Sequence, residues 1–213
     1  MKLVDMSVVD FSDEVDSNSP APGGGSVSAL ASNIGAGLAR MMAHLSFGKK
    51  KYEALDEDIR IEFVERFNKL GDIRQELVEL IDRDTESFNE VMKAMKMPKE
   101  TEEEIKNRKL AIQDATLFSI EVPFKTAKLS LEALRLLDYL VQYGNQNAIT
   151  DIGVGTLMLY SGLEGAILNV KVNLMGLENE EIKTSYSNSI NEMLLEAKTI
   201  KDKILKEIHE NLY

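Results

Sequence analysis

Asp84 stands where a carboxylate is costly. It follows Leu77 by seven residues and Ile81 by three, and it precedes Phe88 by four and Val91 by seven. On a helix these positions form one apolar seam, so Asp84 faces the core. Desolvation there raises a carboxyl pKa and lets the group exchange protons near neutrality, the condition for general acid–base catalysis. The bland alternative is a structural ion pair with Arg40 or a lysine. Asp82 falls on a different face with Glu79, Thr85 and Glu86 and reads as solvated.

A second chemical signal is the run Ser19-Pro20-Ala21-Pro22-Gly23-Gly24-Gly25-Ser26, placed directly before a strongly apolar helix. A helix start carries unpaired backbone N–H groups and the positive end of the dipole, and glycines admit a ligand closely. Pro22, Gly23, Gly24, Gly25 and Ser26 are therefore candidate ligand-binding residues, with close backbone packing as the alternative. The run lacks the Lys-Ser/Thr ending of a phosphate-binding loop, and no strand precedes it.

A third cluster surrounds a later apolar segment. Asn145 and Asn147 precede it, Asp151 opens it, and Asn169 and Asn173 lie one turn apart within it, on a face shared with Gly162, Gly165 and Ala166. Buried amides need partners, and the small residues suggest a groove for a flat ring. Asp151 also reads as an ordinary helix N-cap. Lys49 and Lys50, in the lysine run after Gly48, are candidates for holding an anionic substrate tail.

Around these residues the chain reads as all-α. Four prolines and almost no alternating apolar–polar runs leave little room for strands. A short helix over about Ser7–Asp16 is expected to bury Val8, Phe11 and Val15. Helices are then expected over Ser26–Ser46, Asp56–Met97, Thr101–Tyr143 with a kink at Pro123, Ile152–Met175 and Glu180–Asn211. Thr101 and Glu104 have capping-box spacing, Gly144 suits a C-cap, and Thr150 or Asp151 can cap the helix that follows. Ser26–Ser46 and Ile152–Met175 are apolar all round, which implies two buried helices inside a bundle. The remaining helices offer limited cover for both, so a homodimer is expected.

The 213 residues suit one domain, 1–213, and include 25 basic and 36 acidic side chains for a formal charge of -11. That balance argues against nucleic acid as the main partner. No cysteine and only two histidines, His44 and His209, leave no zinc constellation, so no metal site is expected. The start Met1-Lys2-Leu3-Val4-Asp5 lacks the pattern of a signal peptide, which points to the cytoplasm. Glu164, Lys171 and four glycines interrupt Ile152–Leu174, which suits a buried helix better than a membrane span.

Several stretches in order resemble the cyclodeaminase and methenyltetrahydrofolate cyclohydrolase domain of the formiminotransferase-cyclodeaminase family. They are Ser19 to Val27, Gly48-Lys49-Lys50-Lys51-Tyr52, Asp84-Thr85-Glu86-Ser87-Phe88, Val122-Pro123, Gly144-Asn145 with Asp151, and Asn169-Val170-Lys171-Val172-Asn173-Leu174. The resemblance spans nearly the whole chain and implies an all-helical dimer that binds a tetrahydrofolate derivative as substrate. It implies no metal or organic cofactor, and it places the catalytic aspartate at Asp84. Thr150 departs from the serine usual in the family but keeps the hydroxyl. The fused formiminotransferase domain of the animal enzymes has no counterpart here, so this chain is not expected to load a formimino group.

The leading expectation is hydrolysis of 5,10-methenyltetrahydrofolate to 10-formyltetrahydrofolate. The alternative is a formimidoyltetrahydrofolate cyclodeaminase that releases ammonia. A rival of another class is a non-catalytic helical interaction protein in which Asp84 is merely buried.

Overall fold

The structure, a computed structural model, describes residues 2–212. Seven α-helices make up the bundle: α1 (Val8–Val15), α2 (Gly24–His44), α3 (Lys50–Glu53), α4 (Glu57–Met95), α5 (Glu102–Tyr143), α6 (Ile149–Leu174) and α7 (Glu180–Asn211). Short 3-10 turns occupy Leu3–Asp5 and Gln146–Ala148. No strand occurs among the described residues, and no helix there is long and apolar enough to cross a membrane.

The helix starts follow local chemistry. Thr101 and Glu104 form the expected capping box: the Glu104 N–H donates to Thr101 Oγ1 at 3.2 Å, and the Thr101 N–H donates to Glu104 Oε2 at 3.0 Å. Asn179 accepts from the Ile182 N–H and opens α7. Gly48, with φ at 71°, supplies the one left-handed turn among the described residues, between α2 and α3.

α2 lies at the centre, packed on α4, α5 and α6, while α6 also contacts α5 and α7. α2 and α6 run antiparallel at very close range. A Cβ added at Gly35 would sit 2.7 Å from the Gly155 carbonyl oxygen, and one added at Gly162 would sit 2.6 Å from that of Ser28. The groove anticipated beside Gly162 and Gly165 is therefore filled by Ser28 and Ser32 of α2, and no ring fits there. Ser130 of α5 donates to Ser32 Oγ at 2.7 Å, which satisfies the hydroxyls in this dry layer. The α4 seam buries Phe63, Leu70, Leu77 and Ile81, and α7 buries Ile190, Met193, Ala197, Ile204 and Ile208.

Three expectations need correction. α2 and α6 are not covered on all sides. Val27, Ile34 and Met41, spaced by seven, form an exposed stripe along α2, and Val154, Leu157, Leu168 and Val172 form another along α6. These two helices form one neighbouring pair, and nothing among the described residues covers its outer side. α1 forms but buries none of its residues: Val8 is 88 % exposed, Val15 is exposed, and only Phe11 packs against the core. α6 begins at Ile149 after a 3-10 turn, so neither Thr150 nor Asp151 is its N-cap; Asp151 lies in the first turn, where its charge complements the dipole.

Candidate active site

Asp84 occupies the start of α2. Its Oδ2 accepts the Ser26 N–H at 2.8 Å and the Ser26 hydroxyl at 3.2 Å, and that hydroxyl also lies 2.8 Å from the Ile81 carbonyl oxygen. The carboxylate thus fills the place that an exogenous anion would take at this helix N-terminus. Gly25 makes the arrangement possible, because a Cβ there would overlap Asp84 Oδ1 and Cγ.

Among the described residues no cation pairs with Asp84. Arg40, the partner that a structural ion pair would need, lies with its guanidinium carbon 4.1 Å from the Phe67 ring centroid, and Asp84 forms no salt bridge among the described residues. Burial raises its pKa above the usual carboxylate range, against a smaller pull downward from the two Ser26 hydrogen bonds. Asp82 is less free than its sequence neighbours imply. It accepts the Leu3 N–H at 2.6 Å and ties the N-terminal turn to α4.

Beside Asp84 opens a cavity of about 350 Å³, walled by the glycine loop, α4, α5 and α6. Among the described residues Asp84 is its only ionisable side chain; the other walls are backbone, hydroxyls, amides and the apolar Phe88, Val91, Met95 and Val172. Gly23 and Gly24 form part of the wall, and a Cβ on Gly24 would press on Asn169 Nδ2 at 3.2 Å. Asn169 and Asn173 line the opposite side. Asn169 donates through Nδ2 to the Gly165 carbonyl at 2.9 Å, and Asn173 donates through Nδ2 to the Ser119 carbonyl at 2.6 Å.

The last contact explains Pro123. α5 runs through Pro123 without interruption, and proline has no N–H for the carbonyl four residues earlier, which is that of Ser119. The freed oxygen takes the Asn173 amide instead and fixes Asn173 at the cavity wall. Pro123→Ala is expected to restore the helical bond, compete for Ser119, and raise KM several-fold in a folded enzyme; steady-state kinetics beside a circular dichroism spectrum checks it.

The other expected site residues separate. Pro22 is buried behind the loop and is not part of the cavity wall, while Gly25 and Ser26 lie beneath it and hold Asp84. Lys49, Lys50, Asn145 and Asn147 line a different cavity of about 270 Å³, beyond the C-terminal end of α2. The 21 residues of α2 put that cavity ~30 Å from the loop. Asn145 is spent locally: it donates to the Leu45 carbonyl at 3.0 Å and accepts the Asn147 N–H at 3.1 Å. Asp151 lines neither cavity and lies 18 residues, ~27 Å, along α6 from Asn169. Thr116 and Ser119 join the wall without having been singled out in the sequence, and so does Ser87 from the family-like stretch Asp84–Phe88. Only Pro123, four residues after Ser119, signalled one of them.

A model of the formiminotransferase-cyclodeaminase family matches residues 7–192. The chain belongs to that family. Among its relatives, a methenyltetrahydrofolate cyclohydrolase of Methylorubrum extorquens is 33% identical over 93% of this chain and 93% of its own. The formimidoyltransferase-cyclodeaminase of Gallus gallus is 37% identical over 86% of this chain, which spans 33% of that longer protein. The crystal structure of a formiminotetrahydrofolate cyclodeaminase from Thermotoga maritima superimposes with a TM-score of 0.77 at 25% identity, covering 98% of this chain and 96% of that one. The family resemblance noted in the sequence motifs and the all-helical fold are both borne out.

Proposed function

We propose that this chain hydrolyses 5,10-methenyltetrahydrofolate to 10-formyltetrahydrofolate at the Asp84 cavity. The carrying observation is a single carboxylate, itself largely buried, in an otherwise uncharged wall among the described residues. In the substrate one carbon bridges N5 and N10 as a delocalised cation. A partly desolvated carboxylate attracts such a cation far more strongly than an exposed one does, and the cation in turn favours the ionised form of Asp84.

Water then adds its oxygen to the bridging carbon as Asp84 accepts a proton. The carbon–N5 bond breaks, N5 takes up a proton, N10 keeps the formyl group, and one proton leaves to solvent. Ser26 holds Oδ2, and no described residue donates to Oδ1. Oδ1 is thus the oxygen we assign to the proton transfer, a role worth 100- to 10,000-fold as an order of magnitude.

A cyclodeaminase reading rests on the names of the avian and Thermotoga relatives. There N10 attacks the formimino carbon, and protonated Asp84 assists ammonia to depart. The experiment mixes purified protein with methenyltetrahydrofolate and, separately, formiminotetrahydrofolate, following the methenyl absorbance and ammonia. Decay of the methenyl signal is the expected result. Its appearance with ammonia supports the second reading, and no enzyme-dependent change in either mixture leaves the interaction-protein reading.

A second copy of the chain is the cover we assign to the exposed stripes of α2 and α6, since Val27, Ile34 and Met41 repeat evenly along a helix whose other faces are packed. Ile34→Glu is expected to shift the mass measured by light scattering from dimer toward monomer. A wild-type mass equal to one chain excludes the pairing.

A further inference from the structure

The α2–α4 contact carries a second polar cavity, of about 340 Å³, that the folate chemistry does not use. Two arginines dominate it, Arg40 from α2 and Arg74 from α4, with His44 and Gln75 beside them. Each guanidinium lies over a glycine of the opposite helix. A Cβ on Gly71 would overlap Arg40 Nη1, and one on Gly37 would sit 3.5 Å from Arg74 Nε. Buried Asn33, 7% exposed, fixes the backbone between them by donating to the Arg74 carbonyl at 2.8 Å.

These arginines lack counter-ions. In a chain of formal charge -11, Arg60, Arg66 and Arg135 each hold a carboxylate, whereas Arg40 and Arg74 hold none among the described residues. Arg74 Nε is buried with no hydrogen-bond partner, as is Arg60 Nε, but only Arg74 lines this cavity and lacks a carboxylate partner among the described residues. Burial and then the like charge of Arg74 lower the Arg40 pKa, and Asp72 opposes them more weakly. Two guanidiniums lining one cavity without a carboxylate between them suit an oxyanion, which they can grip through paired N–H donors.

We propose that Arg40 and Arg74 form a binding site for a small organic oxyanion, a phosphate or carboxylate head on a compact apolar body. The volume exceeds that of a bare ion and lies at the small end of ligand pockets. Val78, at the edge of α4, supplies the apolar rim that the body would cover. The site is separate from Asp84, which lies ten residues, ~15 Å, farther along α4 than Arg74.

Calorimetry and the arginine Nε–Hε resonances of the full chain test this with three probes: phenyl phosphate, benzoate and inorganic phosphate. At least one organic probe is expected to bind with a Kd below about 1 mM, to shift the Arg40 and Arg74 resonances, and to bind more tightly than inorganic phosphate. Whichever of phenyl phosphate and benzoate binds better identifies the head group. The double substitution Arg40→Gln with Arg74→Gln is expected to weaken binding at least 10-fold. Gly71→Ala, which keeps both charges and displaces Arg40, is expected to weaken it as well. Asp84→Asn is expected to leave it unchanged, whatever becomes of folate turnover. The proposal is overturned if no organic probe binds, if inorganic phosphate binds as tightly, if either arginine-cavity variant binds like the wild type, or if Asp84→Asn abolishes binding.

Discussion

Asp84→Asn is expected to lower kcat for methenyltetrahydrofolate hydrolysis roughly 100- to 10,000-fold while making the fold more stable toward neutral pH. The two effects share one cause. Asparagine keeps an oxygen that can accept the Ser26 N–H but cannot carry the proton. It also removes a charge that burial penalises.

Because burial raises the Asp84 pKa, the folded state binds a proton more tightly than the unfolded one. The stability linked to that proton is complete below the ordinary carboxylate pKa. It is lost as pH rises through the raised, folded-state value. Thermal midpoints of wild type and variant, followed from acid to neutral pH, should therefore diverge across that window in favour of the variant. In the same range kcat/KM of the wild type should climb with pH as the carboxylate forms. An unchanged kcat in a folded variant removes Asp84 from the chemistry. Midpoints that diverge in favour of the wild type contradict a desolvated carboxylate.

Gly25→Ala is expected to abolish most activity without touching any catalytic atom. The new methyl group would occupy the position of the Asp84 carboxylate, so Asp84 must rotate out of its Ser26 contacts or α2 must draw away from α4. Overpacking of this kind costs about 1–3 kcal/mol. A misplaced catalytic group costs on the order of 100-fold in rate. Gly23 provides the control, since a Cβ there meets only the Pro20 carbonyl oxygen, at 3.8 Å. Gly23→Ala should retain the fold with a stability loss below about 1 kcal/mol. In an Asp84→Ala background, Gly25→Ala should cost far less than it does alone, because the clashing carboxylate is gone; additive urea-unfolding free energies would exclude the direct clash.

Most of the fold was legible because helix signals are local. The capping box at Thr101, the apolar seam of α4 and the core positions of α7 appear where their spacing places them. α1 shows the limit of that reading: its amphipathic pattern produced a helix, but the pattern carries no information about whether a neighbour is there to cover it. The same holds for the stripes along α2 and α6, whose composition alone reads as complete burial. Asp151 reads as a cap in the sequence, but after the 3-10 turn at Gln146–Ala148 α6 starts at Ile149, three residues before Ile152, and hydrogen-bonded turns of that kind leave little trace in residue types.

The candidate site divides along the same line. Asp84 on an apolar seam, Asn173 on a strongly apolar helix and a glycine run before α2 were determined by the sequence, because periodicity and backbone freedom are properties of a chain segment. The tertiary structure decided what those features are for. Only packing could show that Gly25 makes room for Asp84 rather than for a ligand, or that Pro123 frees a carbonyl for Asn173. Only packing could show that Lys49, Lys50, Asn145 and Asn147 gather ~30 Å from the Asp84 cavity. Each of these depends on distances between segments far apart in the chain, which spacing along one helix does not encode.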